Sequence, residues 1–124
     1  LALYYDPRWD WKTWRVPLPI FDSPVEVIRG LLRGYMDADG YVHTSPARAV
    51  RADSVNEEGL SDIQRPFAKL SIRGRMYAMR FRKSWILQIT RRENISKYQE
   101  LVGFSITHKA NALSRIISAY KQPP

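Results

Sequence analysis

Two aspartates, Asp37 and Asp39, are followed directly by Gly40 at the end of a segment whose apolar residues recur at helical spacing. The C-terminal end of a helix is the negative end of its dipole, so two carboxylates there lower its stability. Acids kept in an unfavourable place indicate a function. Because carboxylate oxygens are preferred ligands of hard divalent cations, we predict that this helix end holds a cation.

A calcium-binding loop is a second interpretation of these aspartates, and the spacing excludes it. A loop that began at Asp37 would need an acid or amide where Tyr41 stands, glycine where Val42 stands and glutamate where Arg48 stands.

Gly30 and Gly34 lie four residues apart, on one face of the same predicted helix. Glycine inside a helix lowers its stability by roughly 1 kcal/mol relative to alanine, so a pair of glycines indicates a need for small residues. Two explanations are open: close packing of this helix within the domain, and close approach of an identical helix from a second subunit. In the second case two copies of Asp39 meet, and they repel unless a cation lies between them.

The segment from Leu32 to Gly40 resembles the nine-residue signature of the LAGLIDADG homing endonuclease family. It departs from that signature at Arg33, Tyr35 and Met36, of which Arg33, in place of a small residue, is the largest change. A looser resemblance extends over residues 23–121. The matching positions of the signature are Leu32, Gly34, Asp37, Ala38, Asp39 and Gly40.

The resemblance implies a metal-dependent DNA endonuclease, associated with an intron or an intein, that binds a long double-stranded site and hydrolyses both strands. One copy of the motif, in a chain too short for two, implies a homodimer joined at Gly30, Gly34 and Asp37. The implied cofactor is Mg²⁺, bound by the Asp39 carboxylate with the backbone carbonyl of Ala38 as a weaker ligand. Ca²⁺ is expected to support binding without cleavage.

The same resemblance implies two further catalytic residues. Asn56 falls where the family often has a polar side chain that orients water, and Lys109 falls where a basic residue often sits near the scissile phosphate. Each has a structural alternative, since Asn56 can simply cap the second helix and Lys109 can be a solvated surface lysine.

The helices and strands that position these residues are predicted from hydrophobic periodicity and from the residues that begin or end helices and turns. Residues 1–22 form an aromatic, proline-broken arm, expected to pack on the surface without regular structure; residues 23–121 form one domain. Its predicted order αββαββαα gives an α/β (α+β) fold, a four-stranded antiparallel sheet with helices on one face. The first helix is expected to start with a capping box at Ser23 and to end near Asp37, with Gly40 making the helix exit. The later elements are strands within 41–54, a helix at 56–71, a hairpin at 75–90, and helices at 93–102 and 107–120.

Positive charge is segregated along the chain, which carries a net charge of +8. From Lys69 to Arg92 there are eight basic and no acidic residues, as expected of a polyanion-binding surface. The free face of the sheet would carry the DNA-reading residues, and the second hairpin's tip, with Arg80, Arg82 and Lys83, suits phosphates or outer bases. The other candidate DNA-binding residues are Tyr41, His43, Ser45, Arg48, Arg51, Arg75, Tyr77 and Gln88.

Three rival functions remain open: an RNA-splicing maturase that binds intron RNA, a DNA-binding protein that does not cut, and a basic domain with a chance motif. The chain has no cysteine, so thiol chemistry and zinc–thiolate sites are excluded. No apolar run reaches membrane-spanning length and no signal-peptide pattern opens the chain, so we expect an intracellular protein that is not secreted and has no membrane partner.

Overall fold

The computed structural model describes residues 8–121, with side chains for residues 8–120. Its order of helices and strands confirms the predicted αββαββαα arrangement and the α+β class. The elements are α1 (Val25–Asp39), β1 (Gly40–His43), β2 (Ala49–Ser54), α2 (Glu57–Lys69), β3 (Arg75–Ala78), β4 (Trp85–Ile89), α3 (Arg92–Leu101) and α4 (Thr107–Lys121).

The four strands form one antiparallel sheet in the order β1-β2-β4-β3. Residues paired across an antiparallel sheet lie on the same face, and successive residues of a strand alternate between faces. Val50 and Ala52 of β2 and Leu87 of β4 are buried under the helices. Arg51, which pairs with Tyr41 on one side and Gln88 on the other, therefore lies on the opposite face, which we call the open face.

One hydrophobic core joins the helices to the covered face of the sheet. Helix α1 contributes a stripe with the spacing expected of an amphipathic helix, Ile28, Leu32 and Met36, all at most 2% exposed. Phe67 of α2 and Tyr98 of α3 pack against each other with ring centroids 6.0 Å apart. Among the described residues, no helix has the length and apolar character needed to cross a membrane.

The described part of the N-terminal arm is more ordered than predicted. Leu18–Asp22 form a 3-10 helix, and Val16, Ile20 and Phe21 are buried in the core. The arm packs against the domain, as expected, but it also completes the core. The first seven residues of the predicted arm lie outside the described part of the chain.

Both ends of α1 differ from the prediction. The expected capping box is wrong, because Pro24 is the N-cap residue and the Ser23 hydroxyl donates to the carbonyl oxygen of Pro19 (3.0 Å). At the other end the helix continues through Asp39, and Gly40 is extended (φ −82°, ψ 159°). Glycine is needed there because a Cβ would lie 2.6 Å from Met36 Cε and 2.7 Å from the Met36 carbonyl oxygen.

Candidate active site

Asp39 lies at the C-terminal end of α1, where its exposed carboxylate lines an open groove of about 770 Å³. No other side chain in the described part of the chain hydrogen bonds to this carboxylate. The groove, which we call the Asp39 groove, is lined by Trp11, Trp14, Asp39, Asp53, Ser54, Val55, Met79, Arg82, Lys83 and Ser84. It therefore combines carboxylates, cationic side chains and aromatic rings.

Asp53 is a second carboxylate in this groove, and the sequence analysis missed it. It lies two residues after Arg51 on β2 and therefore on the open face. The Tyr41 hydroxyl donates a 2.9 Å hydrogen bond to Asp53 Oδ1. Burial, together with this bond and the charge of Asp53, raises the pKa of Tyr41 to about 12. Strand alternation was the signal that could have found Asp53.

Tyr35 packs on Trp14 of the groove and lies close enough to Asp39 and Asp53 to be affected by their charges. Its hydroxyl is buried and has no hydrogen-bond partner among the described residues. Burial raises the pKa of Tyr35 first, and the negative charges of Asp39 and Asp53 raise it further. The phenol therefore stays protonated, with an unused donor close to both acids.

Lys109 is not a solvated lysine. Its ammonium group donates to the backbone carbonyl oxygens of Asp37 (2.7 Å) and Met36 (3.4 Å). The last carbonyls of a helix lack partners within it, so Lys109 satisfies the end of α1 that carries Asp39. The Asp37 carboxylate in turn accepts a 2.8 Å bond from the Ser105 backbone N–H, which ties the loop before α4 to the same helix end.

Asn56 has the cap role that the sequence left open. It is 6% exposed, its amide oxygen accepts from the Gly59 backbone N–H (2.9 Å) and its amide nitrogen donates to the Trp14 carbonyl oxygen (2.5 Å). Both polar atoms are used in the fold, and Asn56 does not line the Asp39 groove. Its water-orienting role rests on the resemblance alone and stays a prediction.

Gly30 and Gly34 do not serve close packing inside this domain. Both are exposed, and a Cβ built on either meets no heavy atom of the described chain within 4 Å. That face of α1 also carries Val27, which is 45% exposed. Of the two explanations for these glycines, close packing within the domain is wrong, and the described residues leave this face of α1 uncovered.

The open face carries most of the candidate DNA-reading side chains in one array. The Gln88 side-chain oxygen accepts from Arg51 Nε (2.7 Å) and from the Tyr77 hydroxyl (3.2 Å). His43 Nδ1 lies 2.8 Å from the Ala47 carbonyl oxygen, which can only accept, so this nitrogen carries a proton. The register places six candidates on this face: Tyr41, His43, Arg51, Arg75, Tyr77 and Gln88.

The loops at the two ends of the sheet carry the remaining candidate DNA-binding residues. Ser45 and Arg48 lie in the β1–β2 loop, where the Arg48 guanidinium stacks 5.0 Å from the Tyr120 ring centroid and so faces α4. Arg82 and Lys83 of the β3–β4 tip line the Asp39 groove, and Arg80 lies in the same tip. The tip therefore lies next to Asp39, and its contact with phosphates or outer bases stays a prediction.

One copy of the chain offers an incomplete set of metal ligands. Within residues 8–121 there is no cluster of three or more His, Cys, Asp or Glu side chains able to hold a metal ion. The Asp39 carboxylate and the Ala38 carbonyl are oxygen donors that suit Mg²⁺, but Mg²⁺ demands an octahedral set, completed by waters and further oxygens. These residues fit the cofactor only as part of a larger site.

Comparisons with known proteins agree with this geometry. The profile of the family described as LAGLIDADG-like domain matches residues 26–103. A probable translation initiation factor IF-2 from Thermococcus kodakarensis is 33% identical over 113 residues, which cover 91% of this chain and 10% of that protein. The chain spans about a tenth of the length of the curated relatives it matches.

Solved structures share the fold at low sequence identity. The homing endonuclease I-DmoI, as mesophilic variants, matches with a TM-score of 0.58 and 18% identity, over 78% of this chain and 51% of that one. I-CeuI complexed with DNA matches with a TM-score of 0.57 and 13% identity, over 76% and 55%. Full-length DUF199/WhiA from Thermatoga maritima matches with a TM-score of 0.60 and 18% identity, over 85% and 36%.

Proposed function

Since this chain belongs to the family of LAGLIDADG-like domains, we propose that it is a site-specific endonuclease that binds double-stranded DNA as a homodimer and cuts both strands with Mg²⁺. The observation that carries this proposal is the position of Asp39. Its carboxylate has no hydrogen-bonding side chain among the described residues and lies in the same groove as Arg82 and Lys83. That is the arrangement needed to hold a metal ion against a phosphate.

DNA binding is supported by the open face and the charge of the chain. A twisted antiparallel sheet with Arg51, Arg75 and Gln88 on its free face can lie in a major groove, where base pairs are distinguishable. The cationic tip supplies phosphate contacts, which fix the protein on the duplex without reading its sequence. Two structural neighbours are homing endonucleases, and I-CeuI was solved in complex with DNA.

The homodimer is supported by the free face of α1. Gly30 and Gly34 let two helix backbones approach closely, as small residues do at tight helix contacts. Such pairing brings two copies of Asp39 together, which supplies the acidic ligands that one chain lacks. A Mg²⁺ ion held between them would supply Lewis-acid activation of water and charge stabilisation of the leaving oxygen.

The chain's own residues prepare the site. Asp39 and the Ala38 carbonyl would hold the ion, and Lys109 keeps the last turn of α1 in place by donating to the carbonyl oxygens of Met36 and Asp37. Arg82 and Lys83 bind the phosphate backbone and offset the repulsion between phosphate and the two groove carboxylates. Asp53, fixed by Tyr41, can accept a hydrogen bond from the attacking water.

A second candidate function is DNA or RNA binding without cleavage, either as a regulator or as a maturase on intron RNA. It is favoured by the match of the fold to DUF199/WhiA, whose TM-score of 0.60 is as high as those of the homing endonucleases, 0.58 and 0.57. The free carboxylate of Asp39 favours cleavage instead.

One experiment separates these functions. A duplex is selected from random-sequence DNA on the wild-type protein, and then incubated with it in Mg²⁺, in Ca²⁺ and in EDTA. We expect double-strand cleavage in Mg²⁺ and binding alone in Ca²⁺. Selective binding without cutting in Mg²⁺ would support the regulator, and preference for structured RNA would support the maturase.

A further inference from the structure

We infer that the segment of residues 8–14, which lies outside the part matched by the family profile, supplies one wall of the Asp39 groove through Trp11 and Trp14, and that Trp11 packs there against a nucleotide of the strand to be cut. This inference rests on the proposed function, since it names a DNA contact of the same site.

The wall is held rigidly against the domain. Arg15 makes a bidentate ion pair with the buried Asp62 of α2 (2.8 and 3.2 Å), and the Val16 backbone N–H donates to the same carboxylate (3.0 Å). The Trp14 carbonyl oxygen accepts from the Asn56 amide. An ion pair with a buried partner and two further hydrogen bonds thus anchor residues 14–16 and fix the end of the segment beside the groove.

A local turn brings two tryptophans to the same side of the segment. The Asp10 carboxylate accepts from the backbone N–H groups of Lys12 (2.8 Å) and Thr13 (3.0 Å), as in an Asx turn. These bonds hold the pKa of Asp10 below its usual value. Trp11 follows Asp10 directly in the chain, and both Trp11 and Trp14 line the groove.

The two rings differ in what they contact. Trp14 is half-buried and packs on Tyr35 with ring centroids 5.5 Å apart, so its packing role accounts for it. Trp11 is 66% exposed and has Lys12 Nζ 4.7 Å from its ring centroid. The sequence favoured packing for all aromatics of the arm, but Trp11 is left with most of its surface facing solvent.

The cationic and aromatic side chains of the groove together suit a nucleotide of DNA. Arg82 and Lys83 line it together with Trp11, while Asp39 and Asp53 contribute the carboxylates. Cationic side chains such as Arg82 and Lys83 bind the phosphate backbone, and an aromatic ring stacks on a base or sugar irrespective of sequence. Together they would clamp one strand with its phosphate beside Asp39.

The test compares Trp11→Ala and Trp11→Phe with Leu18→Ala, a control that removes another exposed apolar side chain of the N-terminal arm (75% exposed), which lies in the 3-10 helix and does not line the groove. The probe is the duplex selected on the wild-type protein, bound in Ca²⁺. We expect about tenfold weaker binding for Trp11→Ala, near wild-type binding for Trp11→Phe and no change for Leu18→Ala. In the free protein Trp11 should supply most of the fluorescence quenched by acrylamide, and DNA should protect it.

Two outcomes would overturn the inference while leaving the endonuclease intact. One is equal affinity for Trp11→Ala and Leu18→Ala with a duplex that the wild-type protein cuts; the other is acrylamide quenching of Trp11 unchanged by that duplex. A wild-type protein that binds the duplex without cutting it would refute the endonuclease, but the affinities of Trp11→Ala and Leu18→Ala would still show whether Trp11 contacts the DNA. Failure to select any duplex would refute both.

Discussion

The ammonium group of Lys109 donates a 2.7 Å hydrogen bond to the backbone carbonyl oxygen of Asp37, a residue 72 positions away, in the last turn of the helix that carries Asp39. A charged donor therefore satisfies a helix end whose dipole favours cations. This bond gives Lys109 a positioning role in addition to any contact with phosphate.

Replacing Lys109 with methionine should affect both stability and cleavage. Loss of a half-buried, charge-assisted hydrogen bond should lower the free energy of unfolding by about 1 to 2 kcal/mol. Cleavage should fall at least about a hundredfold, because the last turn of α1 beside Asp39 loses the donor to its carbonyl oxygens and the transition state loses a nearby cation. DNA binding should change little. Urea unfolding and single-turnover cleavage measure the two effects.

Lys97→Met is the matched control, since Lys97 also donates to a backbone carbonyl, that of Ser71 (3.1 Å), away from α1. It should leave cleavage at the wild-type rate. Equal cleavage by Lys109→Met and Lys97→Met would refute a role for Lys109 in the reaction.

Asp39→Asn should abolish cleavage and leave DNA binding intact or tighter. The amide is a poorer Mg²⁺ ligand than the carboxylate, and it removes a negative charge from the neighbourhood of the phosphate. Asp37→Asn should be milder, because its amide oxygen can still accept from the Ser105 N–H. Gel assays of cutting in Mg²⁺ and titrations in Ca²⁺ check both variants, and near wild-type cutting by Asp39→Asn would remove Asp39 from the reaction.

Gly34→Leu should prevent dimerisation and cleavage without unfolding the domain. No described atom obstructs a side chain at Gly34, and replacing a helical glycine by leucine stabilises a helix by about 0.5 to 1 kcal/mol. Light scattering should give the mass of a monomer for the variant and of a dimer for the wild-type protein.

Gly40→Ala is the contrasting control, since its Cβ would meet Met36 and should destabilise the domain by about 1 to 3 kcal/mol. A monomeric wild-type protein at micromolar concentration, with and without DNA, would exclude the homodimer.

Binding should depend strongly on salt, because a dimer with on the order of ten phosphate contacts gives a log–log slope near −9. Replacing Arg80, Arg82 and Lys83 together with alanine should make the slope shallower, by up to about 5 if all three contact phosphates in both subunits. Because Arg82 and Lys83 line the Asp39 groove, cleavage should fall as well. A wild-type slope shallower than about −3 would indicate that the basic surface faces solvent in the complex.

The phenol of Tyr41 should report the charge of Asp53. Burial, the hydrogen bond to Asp53 and the charge of Asp53 together raise the pKa of Tyr41 to about 12. A negative neighbour disfavours the phenolate, so Asp53→Asn should lower this pKa, but only part of the way to the ordinary value near 10 because burial remains. NMR of ring-labelled tyrosine during an alkaline titration measures it, and an unchanged pKa would show that Asp53 and Tyr41 do not interact in solution.

The sequence by itself determined the elements and identified Asp39 as the candidate metal ligand. Helix α1 and the strands follow from periodicities of 3.6 and 2 residues, which are local properties of the chain. The same alternation correctly predicted that Arg51, Arg75 and Gln88 share a face. The nine-residue motif from Leu32 to Gly40 is contiguous, so Asp39 needed no tertiary information to be recognised.

Only the tertiary structure decided which distant residues meet Asp39. Lys109 reaches the end of α1, Asn56 is buried as a cap beneath the N-terminal segment, and Arg82 and Lys83 of the β3–β4 tip line the groove that holds Asp39. These contacts depend on strand order and on how the helices pack over the sheet, and residues so far apart in sequence carry no local signal of their proximity. The groove that joins Trp11, Asp53 and Arg82 exists only once the chain has folded, because each comes from a different element.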